Sequence, residues 1–161
     1  MKTLVVCYSL EGTTKEIAVE MAKTVSADLI ELRPEKPYPK KGVLKYLVGG
    51  FDAFVKKDMP IQKIDKDPKE YDLIVLGTPV WAGRPAPPMM RFMKENSLKG
   101  KMVGLFCTHQ GAPGKTLDIL KRNADQADVK AAWSVHTKEA SLDLMKEEAG
   151  KWITQIAVEI G

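Results

Sequence analysis

The chain has 161 residues, of which 44% are hydrophobic and 29% charged, and its formal net charge is +4. This length predicts a single domain, residues 1–161, with a sizeable hydrophobic core. No apolar run approaches the ~20 residues of a membrane helix. The N-terminus lacks the pattern of a secretory signal, so we expect a cytoplasmic protein without a membrane span. Basic residues are scattered among acidic ones, which argues against a nucleic-acid partner.

Strands and helices alternate along the chain. The first strand is predicted at 1–8 and is followed by a helix at 13–25 and a second strand at 28–32. The third and fourth strands are predicted at 72–76 and 101–108, and a weaker fifth at 129–135. Helices are predicted at 87–95, 115–123 and 141–160. This alternation predicts an α/β protein with a parallel sheet covered by helices.

The segment from Arg33 to Pro68 interrupts this alternation. Its apolar residues between 43 and 55 have helical spacing, broken by Gly49 and Gly50, and predict a helix that is kinked or split there. We expect its apolar face to pack on the sheet. A mobile lid over a ligand is the alternative.

Two cysteines end apolar runs, Cys7 in the first strand and Cys107 in the fourth. With one strand between them they would lie about 10 Å apart, beyond the ~7 Å Cα limit for a disulfide. Both are therefore predicted to be free and buried. Neither lies in a Cys/His cluster, so no metal site is predicted.

Residues 9–14 connect the first strand to the first helix and contain three hydroxyl side chains and Gly12. A helix N-terminus presents free N–H groups and a positive dipole end, so this turn is suited to hold a phosphate. An ordinary turn with Thr13 as N-cap is the alternative. No G-x-G-x-x-G follows the first strand, and the P-loop pattern ending at Thr116 is incomplete because His109 stands where glycine is needed.

Parallel sheets bind ligands beyond the carboxyl ends of their strands, so the loops over 78–88 and 108–114 belong with residues 9–14. Trp81 lies in a loop rich in proline and glycine, which indicates a planar ligand stacked on it or an indole that fixes its own loop. Arg84 is either a cation beside that ligand or a solvated loop charge.

The segment from Val5 to Ala18 resembles the N-terminal motif of the flavodoxin family, with departures at Cys7 and at Met21 further on. The resemblance implies a three-layer sandwich whose five-stranded parallel sheet has the order 2-1-3-4-5, with FMN at the switch point. It also implies cofactor-binding roles for three sets of residues, with Trp81 stacked on the flavin ring. These residues are Ser9, Leu10, Glu11, Gly12, Thr13 and Thr14; Thr78, Pro79, Val80, Trp81, Ala82 and Gly83; and Thr108, His109, Gln110 and Gly111.

Three functions are consistent with these features. The favoured one is an FMN-binding carrier of electrons between redox partners, because no acid–base pair or nicotinamide site is evident. The second is an FMN-dependent NAD(P)H:quinone-type oxidoreductase, since the last loop has no tyrosine to cover the ring. The third is a flavodoxin-like interaction module without flavin. The basic charge, including the lysines between 36 and 57, indicates acidic redox proteins or a small quinone-like acceptor as partners. Monomer and homodimer are both compatible with the sequence.

Overall fold

A parallel sheet of five strands forms the centre of the molecule. The computed structural model describes residues 1–39, 48, 50–52 and 58–161, so the predicted lid and most of the predicted helix over 43–55 lie outside the described residues. The strands are β1 (Thr3–Cys7), β2 (Asp28–Glu31), β3 (Leu73–Trp81), β4 (Arg84–Pro85), β5 (Met102–His109) and β6 (Asp128–His136). Their order is β2-β1-β3-β5-β6, and the short β4 pairs with the end of β3. The predicted order 2-1-3-4-5 is therefore confirmed, with β4 as an addition.

Helices cover both faces of this sheet. Those with described bounds are α1 (Thr13–Thr24), α2 (Pro87–Glu95), α3 (Thr116–Asn123) and α4 (Leu142–Ile160), and a 3₁₀ turn spans Pro68–Glu70. One core cluster joins α1 and α4 to the sheet through residues such as Ile17 and Ile153. The other includes Phe92 of α2 and Leu120 of α3. The predicted three-layer sandwich is confirmed.

Strand β3 is longer than predicted, because it continues to Trp81. Residues 78–81 therefore belong to a strand and not to a loop. Ala82 and Gly83 have φ values of +49° and +71° and form a two-residue turn, after which Arg84 pairs back onto Trp81. Positive φ at both central positions is the geometry that returns a strand antiparallel to itself.

The two cysteines are free and buried, as predicted. Burial raises the pKa of the Cys7 and Cys107 thiols to about 12, so both are protonated at neutral pH. They act as small apolar side chains in the sheet. In the part of the chain that the structure describes, no helix has the length and apolar character needed to cross a membrane.

Candidate functional site

A cleft of about 200 Å³ opens where β1, β3 and β5 end. All three strands are parallel, so their carboxyl ends meet at this edge of the sheet. Residues from the three predicted segments line the cleft, together with Gly50 and Thr137. This edge lies at the switch point of the strand order, where open α/β sheets bind ligands.

The turn between β1 and α1 presents backbone N–H groups to the cleft. Gly12, with φ +107°, is the N-cap of α1, so the alternative with Thr13 as N-cap is wrong. The first hydrogen bond of α1 runs from the Glu16 N–H to the Gly12 carbonyl oxygen, at 2.9 Å. The N–H groups of Thr13, Thr14 and Lys15 therefore have no acceptor within the helix, and they form the positive end of its dipole.

Two cations near this turn, Lys15 and Arg33, are paired with the same carboxylate. The Lys15 ammonium lies 2.8 Å from the Glu31 carboxylate, and the hydrogen bond with Glu31 raises the pKa of Lys15. Arg33 lies 3.6 Å from the same carboxylate. Glu11 lines the cleft but is exposed. The donors of the turn are consequently neutral N–H and hydroxyl groups.

Hydroxyl groups fix the turn internally and to β5. The Ser9 hydroxyl accepts a hydrogen bond from the Gly12 N–H at 3.0 Å and keeps its own proton for donation. The hydroxyls of Thr14 and Thr108 form a buried hydrogen bond of 2.8 Å. This bond joins the start of α1 to the end of β5 across the sheet, so two walls of the cleft are held in register.

Trp81 lies at the end of β3 and lines the cleft while partly buried. Its ring makes edge-to-face contacts with Tyr8, at 5.6 Å between centroids, and with Tyr38, at 4.8 Å. Burial raises the pKa of both tyrosines, so they stay neutral. Two aromatic rings from separate segments therefore hold the indole in place at the end of β3.

A close backbone contact holds the loops after β3 and β5 together. The Gly83 carbonyl oxygen accepts a hydrogen bond from the Lys115 N–H at 2.8 Å. A Cβ placed on Gly114 would lie 2.5 Å from the Gly83 Cα, so no side chain fits there. Thr78 stabilises the same hairpin, since its hydroxyl accepts from the Ala86 N–H at 3.0 Å.

His109 occupies the end of β5 and lines the cleft. Its ring packs edge-to-face on His136, with 5.1 Å between the centroids. Desolvation, reinforced by His136, lowers the pKa of His109, so its imidazole is neutral at pH 7. The His109 carbonyl oxygen accepts hydrogen bonds from Thr137, from the N–H at 2.8 Å and from the hydroxyl at 3.2 Å.

Twelve of the sixteen predicted site residues line the cleft. The other four, Gly12, Thr78, Gly83 and Gly111, are outside its lining. Thr137 is a lining residue that the sequence analysis missed. The signal was available, because Thr137 follows the last parallel strand and carboxyl ends of parallel strands meet at one edge. Arg84 lines a different cleft and is not among the residues that line the first one.

The fold and the cleft together define a doubly wound α/β protein with a cleft at its switch point. The N-terminus of α1, several hydroxyl side chains and the Trp81 ring line this cleft. The Flavodoxin family model matches residues 2–156. The chain belongs to the flavodoxin family.

Solved structures share this fold. A flavoprotein from Lactobacillus acidophilus in complex with FMN is 26% identical, with 85% of this chain and 95% of that chain covered and a TM-score of 0.72. A protein from Bacteroides eggerthii is 24% identical, with 97% and 98% covered and a TM-score of 0.74. The two-electron reduced flavodoxin from Megasphaera elsdenii is 19% identical, with 92% and 98% covered and a TM-score of 0.57. The curated proteins include no match.

Proposed function

We propose that this chain binds FMN in the switch-point cleft and carries electrons between redox partners. One observation carries the proposal: the N-terminus of α1 and the Trp81 indole line the same cleft. A ligand that carries both a phosphate and a planar ring system would place the phosphate at the helix N-terminus and the ring against the indole. Membership of the flavodoxin family and the FMN complex of the Lactobacillus acidophilus flavoprotein support it.

The phosphate end of FMN matches the donors of the α1 turn. The N–H groups of Thr13 and Thr14 and the hydroxyls of Ser9 and Thr13 would donate to its oxygens. A dianionic monophosphate would be stabilised there by the helix dipole, and no lysine or arginine of the described part of the chain lines the cleft. The exposed Glu11 would contribute its backbone N–H and direct its carboxylate away from the dianion.

The ring end of FMN matches Trp81 and the end of β5. Trp81 would pack against the flavin, and the His109 and Gln110 segment would flank it. Bound FMN would supply one- and two-electron redox chemistry, which its protein surroundings tune. The cleft of about 200 Å³ is smaller than the roughly 300–1,000 Å³ of enclosed ligand pockets. Part of the cofactor would therefore stay exposed, as exchange of electrons with an external partner requires.

The second candidate function is an FMN-dependent NAD(P)H:quinone-type oxidoreductase. Its supporting observation is that Trp81 is the one large aromatic among the described residues that line the cleft, and that the β5 end provides His109 and Gln110 instead. A second ring face without an aromatic cover leaves room for a small acceptor. The neutral His109 imidazole would be in place to hold a proton at one ring nitrogen.

The sequence is basic, with a pI of about 9.0, so we expect partners that carry negative charge. A positive surface steers acidic redox proteins or anionic acceptors toward the molecule. Lys36 is exposed and available for this role, whereas the lysines at 40, 41, 45, 56 and 57 lie outside the described residues. We place the reaction in the cytoplasm, where free thiols such as Cys7 stay reduced.

Reconstitution with FMN tests the cofactor proposal. Titration of the protein into FMN should quench flavin fluorescence and give a yellow complex. Trp81→Leu should weaken binding about tenfold, through loss of ring stacking and buried area. Trp133→Leu is the matched control, because Trp133 stacks on Trp152 at 5.8 Å and does not line the cleft. A protein that takes up no FMN, or equal losses in both variants, would contradict the proposal.

Anaerobic titration of the FMN complex separates the two functions. A carrier should be reduced by a chemical reductant and reoxidised by a redox protein, and should react with NADPH only negligibly. Rapid bleaching of the flavin by NADPH, followed by turnover with a quinone, would establish the oxidoreductase instead.

A further inference from the structure

A second cleft, of about 520 Å³, lies between β4, α2 and α3. It shares no described lining residue with the first cleft. The two nevertheless meet at one hairpin, since Ala82 lines the first cleft and Arg84 the second. The volume falls within the roughly 300–1,000 Å³ of small-molecule sites.

The described lining is strongly basic, with Arg84, Arg91, Lys94 and Arg122 against the carboxylate of Asp58. Two of these cations are already paired. Arg91 lies 2.9 Å from one Asp58 oxygen, and Lys94 lies 3.2 Å from the other. Hydrogen bonds from these two side chains lower the pKa of Asp58, so the carboxylate is ionised. Arg91 also pairs with Glu95 at 2.6 Å.

The remaining two guanidiniums have no carboxylate partner among the described residues. Arg84 forms no ion pair there, and Arg122 donates only from Nε to the Asp118 carbonyl oxygen, at 3.3 Å. Each guanidinium presents several donors in a planar fork that matches phosphate or carboxylate oxygens. Two such groups on one cleft favour an anion of charge near −2.

The interior of this cleft is apolar. Pro85, Pro87, Met93 and Ile119 are buried beneath it, and Met90 is partly exposed. Inorganic phosphate would leave this surface unused, whereas an organic ligand would cover it. Methionine side chains adapt to flat ligands and contact aromatic rings favourably. A phosphate monoester carries a charge of about −1.5 to −2 at pH 7, which balances two guanidiniums better than a single carboxylate does.

We propose that this second cleft is a binding site for an organic phosphate of nucleotide size, with its phosphate on Arg84 and Arg122 and its base or other apolar body on Met90 and Ile119. The site is separate from the proposed FMN cleft and does not depend on it. Its occupant would lie beside the Trp81–Arg84 hairpin, which forms a wall of the first cleft.

Calorimetric titration with adenosine 5′-monophosphate tests this site, on the protein as purified and after saturation with FMN. We expect one molecule to bind in both states, at least tenfold more tightly than either inorganic phosphate or adenosine. Equal binding of inorganic phosphate would overturn the apolar part of the proposal. Loss of binding on FMN saturation would place the nucleotide in the first cleft and overturn the separate site, and absence of binding would overturn it outright.

Two variants and a charge-matched control assign the binding to the cleft. Arg84→Gln and Arg122→Gln should each weaken binding at least tenfold, which corresponds to ~1.4 kcal/mol. Both side chains reach solvent, and circular dichroism checks that the variants fold. Arg33→Gln removes the same charge near β2, outside this cleft, and should leave the affinity within about twofold. Equal weakening by all three variants would indicate unspecific attraction and refute the site.

Discussion

The contact between Gly83 and Gly114 yields a quantitative prediction. Gly114 has φ +55°, and a Cβ there would lie 2.5 Å from the Gly83 Cα and 2.7 Å from its carbonyl oxygen. Gly114→Ala therefore imposes backbone strain and a clash with another backbone segment. The clash cannot be relieved by a side-chain rotation, so the loops after β3 and β5 must separate.

The magnitude follows from comparison with Gly100. Gly100 has φ +72°, but a Cβ there would have no atom within 4 Å. Gly100→Ala should therefore lower the free energy of unfolding only by the left-handed strain, ~1–2 kcal/mol. Gly114→Ala should lower it by a further ~1–3 kcal/mol, the usual cost of overpacking.

Urea unfolding followed by circular dichroism measures this difference in free energy. Flavin fluorescence then measures FMN affinity. The affinity should fall in Gly114→Ala, because the displaced hairpin includes Ala82, which lines the cleft. Gly100→Ala should bind FMN like the parent protein. Equal unfolding free energies and equal FMN affinities in the two variants would refute the close contact as a constraint.

Three further predictions concern the site and the sheet. Thr14→Val and Thr108→Val should each cost ~1–3 kcal/mol, because each leaves a buried hydroxyl unpaired, and urea unfolding of the double variant should show less than the sum. The pKa of His109 is lower in the folded state than in the unfolded chain, so as the pH falls the unfolded chain takes up a proton at a higher pH than the folded protein does. Stability should then fall as the pH drops below about 6.5, and unfolding measured against pH should show a smaller loss in His109→Gln. Gly77→Ala would place a Cβ 2.1 Å from Cζ of the Phe106 ring, so its thermal midpoint should drop further than that of Gly100→Ala and recover in part with Phe106→Leu.

Local pattern was sufficient to predict the strands of the sheet and the segments that line the cleft, whereas the strand order and the individual cofactor-binding residues were implied by the resemblance to flavodoxins. Buried parallel strands such as β1 and β5 are short apolar runs between helices, and the carboxyl-end rule then gathers their following residues at one edge. Residues as distant in sequence as Ser9 and His109 are thereby expected at one edge, and both line the first cleft. Thr137 was missed only because the rule was not applied to the last strand.

The Trp81–Arg84 hairpin could not be predicted in this way. Its flanking prolines, Pro79 and Pro85, are typical of loops. Pro85 is tolerated because β4 is a two-residue edge strand, whereas Pro79 lies near the end of β3, opposite Thr108 of β5. The turn also requires Ala82 at φ +49°, a conformation that alanine rarely adopts. Tertiary contacts, including the Gly83–Gly114 approach, impose that conformation, and no local propensity encodes them.

The distribution of charge among the described residues bears on how a basic chain would hold a dianionic cofactor, because none of their lysines or arginines lines the first cleft. Lys15, the cation nearest to the phosphate turn in sequence, is paired with Glu31. Arg84, which follows the wall that carries Trp81, lines the second cleft instead. Among the described residues, the donors at the α1 turn are thus backbone N–H groups and hydroxyls, which do not titrate near neutral pH. The net charge of +4 would accordingly influence the approach of partners and the binding of anions in the second cleft. A ligand in the second cleft would contact the hairpin that also forms a wall of the proposed FMN site.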